Sequence, residues 1–301
     1  MVSHKYSADI LLLLVTFIWG TTFALVKDAI EHVPVFVFLS QRFLLGGLCL
    51  LLFCFFRPRC FSVLLLVRSI ILGLFLFGAF AFQTLGLAYT TASNAAFITG
   101  LNVVFVPVIE RMWFRNHLSF GVWTGILFAV LGLFLLTTSG KFTVNLGDFL
   151  VLGCAICVAF HVIFTGLYAT RHDVMWLTTL ELLTVGLCSF IIAYVQSKPM
   201  FVYYPGTALA LVVCVFGATI FAFVVQTFVQ RFASPTHVAI VFCMEPVFGA
   251  IFAYLYSGER FTGQQLVGAV LIILAMITAE LGSRKELVSD TYRSKAGLVE
   301  K

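Results

Sequence analysis

Residues 231 to 279 read RFASPTHVAIVFCMEPVFGAIFAYLYSGERFTGQQLVGAVLIILAMITA, two apolar runs joined by the polar turn Ser257, Gly258, Glu259 and Arg260. This is the pattern of a membrane hairpin. The first run holds Glu245 and Pro246 well inside it, and the second, from Gln264 to Ala279, carries no charge. An ionisable side chain in mid-membrane is costly unless it faces a cavity or a partner, which makes Glu245 a candidate functional residue.

The whole chain has the same character. Of its 301 residues 61% are hydrophobic and only 10% charged, where an ordinary globular domain is about a quarter charged. The mean hydropathy is +1.09. These values describe an all-α polytopic membrane protein. The net charge of +5 is spread through short loops and the C-terminal tail, without a sustained cluster, so it sets topology and does not point to nucleic acid. Seven of the eight cysteines, Cys49, Cys54, Cys154, Cys157, Cys188, Cys214 and Cys243, fall in apolar runs and read as small packing residues; Cys60 lies beside a loop. Cys154 and Cys157 form a lone CxxC with no second pair or ligand His nearby, so no metal or other cofactor is expected. Lys5 followed by the run Ile10 to Val26 looks like a signal peptide, but no A-x-A-like site follows, and the run is read as an uncleaved first span.

About 20 mainly apolar residues cross a bilayer as a helix. Ten segments qualify: 9–27, 35–56, 69–89, 92–114, 119–138, 148–169, 174–195, 206–230, 235–256 and 262–281. Placing both termini on one side puts thirteen Lys and Arg there, namely Lys5, Arg57, Arg59, Arg68, Arg111, Arg115, Arg171, Arg231, Arg284, Lys285, Arg293, Lys295 and Lys301. The other side holds four, Lys27, Lys141, Lys198 and Arg260. The bias predicts cytoplasmic termini in a multi-pass protein of the cell (inner) membrane, in contact with membrane lipid.

An internal repeat fixes the architecture. With residues 83–135 laid over 226–278 without a gap, at an offset of 226 minus 83, or 143, Gln83-Thr84 falls on Gln226-Thr227, Ala96 on Ala239, Val104-Phe105 on Val247-Phe248 and Gly125 on Gly268. At the smaller offset of 139, Asp9 meets Asp148. The chain is thus two five-span units, 9–139 and 147–282, between a short N-terminus, 1–8, and a tail, 283–301. Five is odd, so the second unit enters the membrane from the opposite side, giving two inverted-topology repeats around a central cavity.

Few polar residues lie deep in the spans. Asn102 and Glu245 are repeat mates, each about 15 Å into its span by a rise of about 1.5 Å per residue. Gln83 and Gln226 form a second such pair, amides able to donate and accept without a buried charge. His161 can titrate near neutral pH, although a lone His in an apolar helix is commonly a packing residue. Arg42 and Glu181 match at the smaller offset, but inversion separates them in depth, which favours cavity or loop partners over direct contact. Pro107 and Pro246 each remove a helical donor and mark expected kinks.

Trp19-Gly20-Thr21-Thr22-Phe23, Arg42-Phe43, Glu245-Pro246-Val247, Gly258-Glu259-Arg260 and Gly268 together resemble the EamA branch of the drug/metabolite transporter superfamily, over residues 9 to 282. The first unit departs from the pattern, with Asn102-Val103 where the second has Glu245-Pro246, and Asn116 where it has Glu259. The resemblance implies a ten-helix inverted repeat around a cavity and transport, often export, of amino acids or related metabolites. The candidate substrate-binding residues are Trp19, Thr22, Gln83, Asn102, His161, Gln226 and Glu245, with Glu259 and Arg260 as a structural turn. The expected function is a secondary transporter, not an enzyme, exporting small polar or amphipathic metabolites by alternating access, with protons as a candidate coupling ion through Glu245. The alternatives are a membrane enzyme acting on a lipid and a passive channel. No HExxH or paired-aspartate motif supports the first, and the deep polar residues are too few and too mixed for the second.

Overall fold

The computed structural model describes residues 2–56, 62–114, 119–137, 145–257 and 262–278. The turn residues Glu259 and Arg260, together with Asn116 and the tail, lie outside the described residues. Among those described, the regular structure is helical with no strand. Eight helices are long and apolar enough to cross a membrane and two shorter apolar ones accompany them, making ten spans.

Span 1 is Val2–His32, span 2 Val35–Phe55 and span 3 Val63–Leu87. Span 4 consists of two helices, Ala92–Gly100 and Asn102–Phe114. Span 5 is Phe120–Thr137, span 6 Leu146–Ala169 and span 7 Val174–Val195. Span 8 runs Pro205–Val229, span 9 is again two helices, Pro235–Phe242 and Met244–Ser257, and span 10 is Gly263–Thr278.

Helix starts follow local capping chemistry. Ser62 accepts from the Leu65 amide and Asp173 from the Trp176 amide, each at 3.1 Å. At span 6 Asn145 and Asp148 form a reciprocal capping box, and Ser234 caps span 9 with Pro235 in its first turn. Span 3 starts at Val63, six residues ahead of the 69 expected from hydropathy, because Ser62 rather than Arg68 ends the loop. Span 1 likewise continues through Lys27, Asp28 and Glu31 to His32. Charge does not stop a helix; Pro34, at the N-cap of span 2, does.

The two units pack as inverted repeats. Span 2 lies along span 7, and span 3 along span 6 while span 8 lies along span 1. The clearest sign is a reciprocal contact. A Cβ on Gly47 would come within 2.8 Å of Leu183, and one on Gly186 within 2.8 Å of Leu44. Gly47 and Gly186, like Leu44 and Leu183, are 139 residues apart, so a single contact occurs twice about a twofold axis. Small residues also seat spans 5 and 10, where a Cβ on either Gly132 or Gly268 would lie 2.7 Å from the other's carbonyl oxygen. Leu52, Phe53, Leu127 and Ile191 are more than half exposed on the outer surface. An apolar exterior of this kind suits hydrocarbon as its solvent.

Candidate functional site

A cavity lies between the two units, and it is lined by all seven residues singled out above, Trp19, Thr22, Gln83, Asn102, His161, Gln226 and Glu245. Arg42, Thr99, Phe80, Phe223 and Phe242 line it as well. Arg42, for which cavity or loop partners were expected, is in the wall, and so is an aromatic pair that hydropathy does not single out. Phe80 and Phe223 are 143 residues apart, the offset of the glutamine pair, and their rings meet with centroids 6.1 Å apart.

Two helix breaks shape the polar region. Span 9 is interrupted at Cys243 and span 4 at Leu101, each just before the polar residue of its unit, Glu245 or Asn102. Pro246 accounts for the first, because it has no N–H for the carbonyl of Phe242. The break in span 4 does not fall at Pro107. That proline sits inside the helix Asn102–Phe114, and the interruption is at Leu101, six residues earlier. Gly100 ends the first helix there, and the Asn102 amide donates to the freed Thr99 carbonyl at 2.8 Å. The Oδ1 atom of Asn102 is buried with no hydrogen-bond partner among the described residues.

Span 8 contributes a feature that hydropathy does not encode. Its middle, Val213–Phe221, is a π-helix, a wide turn often found at functional sites. The Ala218 carbonyl in this stretch accepts from Trp19 Nε1 at 2.9 Å and from Arg42 Nη2 at 3.2 Å. Arg42 Nε also donates to Thr219 Oγ1 at 2.7 Å. The guanidinium carbon lies 4.6 Å from the Phe80 ring centroid and 5.0 Å from that of Phe43. Arg42 is therefore a buried cation held by a carbonyl, a hydroxyl and two aromatic faces, with no carboxylate bonded to it among the described residues.

The acidic residues form no ion pair with Arg42 among the described residues. Glu245 has no ion-pair or hydrogen-bond partner among the described residues. Glu181 does not meet Arg42; its Oε1 lies 2.7 Å from His161 Nε2, and its Oε2 is buried without a partner among the described residues. Gln226 donates to Gln230, which donates to the Val162 carbonyl, leaving Gln226 Oε1 buried and unpaired among the same residues. Gln83 donates to Thr99 Oγ1 at 3.3 Å, and the Thr22 hydroxyl donates to the Trp19 carbonyl of its own helix. Asn102 and Gln226 thus present unpaired acceptors and Glu245 a carboxyl in a wall whose one fixed cation, among the described residues, is Arg42. Unsatisfied buried oxygens are rare in folded proteins, and those lining a cavity suit a ligand with N–H donors.

The family of EamA-like transporters matches residues 6–138 and 145–279, one copy for each unit. A protein named "Uncharacterized transporter" from Archaeoglobus fulgidus is 31% identical over 91% of this chain and 86% of its own. A "Probable amino-acid metabolite efflux pump" from Salmonella typhimurium is 26% identical over 91% of this chain and 95% of its own. A crystal structure aligns with a TM-score of 0.78 at 18% identity, covering 93% of this chain and 99% of the other, and so shares the fold. With two inverted five-span units closing on one cavity, the chain belongs to the EamA-like transporter family.

Proposed function

We propose that this chain is a secondary transporter that exports small zwitterionic metabolites with an apolar part, amino acids foremost, by alternating access. The observation that carries this reading is the pair of opposite charges left unjoined in the cavity wall. Arg42 and Glu245 line one cavity without an ion pair between them among the described residues, with the unpaired buried oxygens of Asn102 and Gln226 in the same wall and Trp19, Phe80, Phe223 and Phe242 around them. A carboxylate suits the first group, an ammonium the second, and an apolar side chain the rings. The relative from Salmonella typhimurium named as an amino-acid metabolite efflux pump supports the same substrate class. Two inverted repeats around a midplane site suit rocking of one unit against the other. Protons are the proposed coupling ion, and the Lys and Arg bias supports cytoplasmic termini in the cell (inner) membrane.

The test is transport by the purified chain in proteoliposomes. Labelled L-leucine and L-phenylalanine are expected to accumulate beyond equilibrium when a pH gradient is imposed, and Glu245→Ala and Asn102→Leu to raise the half-saturating concentration. A flux that never exceeds equilibrium would turn the reading toward a channel, and protein-independent flux across a panel of amino acids would end it.

A further inference from the structure

The inverted repeat makes His161 and Glu181 stand out. At the offset of 139, His161 corresponds to Thr22 and Glu181 to Arg42. One unit therefore carries a neutral hydroxyl and a permanent cation where the other carries two groups that exchange protons. His161 Nε2 and Glu181 Oε1 are 2.7 Å apart, with side chains 4% and 0% exposed. The pair is flanked by the Thr165 hydroxyl, 3.4 Å from Nε2, and by Phe223, whose ring stands edge-on to the imidazole at 6.0 Å. His161 reaches the cavity, whereas Glu181 does not line it. This is the arrangement of a buried acid whose route to water runs through an imidazole.

With one proton between them, the two groups are neutral overall, either as a carboxylic acid with an imidazole or as a carboxylate with an imidazolium. Removing that proton leaves a net negative charge behind the wall, and a buried charge without a counter-charge is costly. The Oε2 atom has no partner among the described residues to share such a charge. Among the described residues the other charged or titratable groups lining the cavity are Arg42 from span 2, Glu245 from span 9 and Cys154 from His161's own span, with Cys214 of span 8 buried close enough to Arg42 to interact with its charge; spans 3 and 8 present the neutral Gln83 and Gln226. Arg42 is fixed on the π-helix of span 8. A movable compensating cation must then come from the cavity itself.

We propose that the His161–Glu181 pair is the proton-carrying site of this transporter, holding one proton while no cation occupies the cavity and releasing it as an ammonium group enters. The proton passes from Glu181 through the His161 ring to cavity water, and the ammonium takes over the balancing of the Glu181 carboxylate. On the opposite face the ammonium leaves and the pair takes a proton from water. One proton thus moves in one direction for each ammonium moved in the other. This rests on the reading above that the cavity takes a molecule bearing an ammonium group, and it assigns coupling to Glu181 instead of Glu245.

Exchange of amino acid for amino acid requires no net proton movement, whereas uphill accumulation does. In proteoliposomes of the full chain, Glu181→Gln and His161→Gln are expected to lose accumulation of labelled L-leucine or L-phenylalanine driven by the pH gradient, while exchange by the unaltered chain shows that the protein is reconstituted in working form. A Glu181→Gln protein that accumulates as the unaltered chain does would overturn the proposal. A second measurement needs no substrate. Infrared difference spectra of the reconstituted chain on acidification are expected to show a carboxylic-acid C=O band that is absent from Glu181→Gln and shifted in His161→Gln. If exchange is absent even in the unaltered chain, the transport reading fails and this band alone decides the proton site. If Glu181→Gln loses exchange along with accumulation, the band decides again, and one that survives Glu181→Gln overturns the assignment.

Discussion

Trp19 and Arg42, from different spans of the first unit, donate to one and the same carbonyl oxygen, that of Ala218 in the second unit. The two donors cover for each other. Trp19→Phe leaves the carbonyl bonded to Arg42 and is expected to cost about 0.5–1.5 kcal/mol, the net worth of one hydrogen bond. Combined with Arg42→Gln, the loss should exceed the sum of the two single changes, because only the double variant strips the π-helix of both donors. Denaturant unfolding in mild detergent measures the cycle. Additivity within about 0.5 kcal/mol would show that the shared carbonyl is not what links them.

Span 1 meets span 9 through backbone. A Cβ on Gly20 would lie 2.6 Å from the Glu245 carbonyl oxygen and 2.8 Å from the Gly249 nitrogen, and neither atom can rotate away. Gly20→Ala is expected to push the two spans apart at a cost of about 1–3 kcal/mol and, since Glu245 rides on that contact, to weaken substrate binding. Gly263→Ala, where nothing lies within 4 Å, serves as the neutral control. Equal melting temperatures for the two variants would refute the contact.

Glu110 in span 4 is buried and accepts a short hydrogen bond from Thr236 in span 9. Thr236→Val removes the donor and strands the carboxyl, at an expected cost of about 1–3 kcal/mol. Thr236→Ser keeps the hydroxyl and should retain most of the stability. The comparison of the two by thermal unfolding isolates the bond from the methyl packing.

His172 lies in the loop between spans 6 and 7, outside the membrane-spanning segments, where its Nε2 accepts from Arg68 Nη1 at 2.7 Å. Burial, with Arg68 and Arg171 nearby, holds its pKa below the ordinary value of 6.5. The unfolded chain therefore takes up this proton first. The stabilising contribution of the neutral ring is complete above about pH 6.5 and is lost as the pH falls through and below that value. His172→Gln, which can still accept from Arg68, is expected to flatten the fall in melting temperature across that interval; an unchanged slope would place the acid sensitivity elsewhere.

How far the sequence speaks depends on what kind of signal a residue leaves. The spans and the inverted repeat were legible because hydropathy and offset are properties of the chain itself, and Gln83–Gln226 or Asn102–Glu245 can be paired by subtraction. The same subtraction would have found Phe80 and Phe223. The break at Leu101 was not legible, because a proline such as Pro107 announces itself in sequence while a glycine followed by a self-capping asparagine does not. The π-helix of span 8 leaves no pattern at all, since it arises where Trp19 and Arg42 supply donors from remote spans. His161 looked like an isolated ring in an apolar helix, and only the fold sets Glu181 beside it.

The twofold seam of Gly47 on Leu183 and Gly186 on Leu44 has a mechanical meaning. These four residues straddle the pseudo-twofold axis and form a close contact repeated on both sides of it. If the units rock, the seam is the fulcrum of a seesaw whose arms end at the membrane faces. At one end Asp9 is clasped by His237 at 2.7 Å, and at the other, by inversion, Asp148 is clasped by Thr90 at 2.6 Å. Distance probes placed at the fulcrum would stay still while probes at the two clasps moved in opposite senses. One end of this lever is fastened by an imidazole and the other by a hydroxyl, so the seesaw is symmetric in its geometry but not in its fastenings.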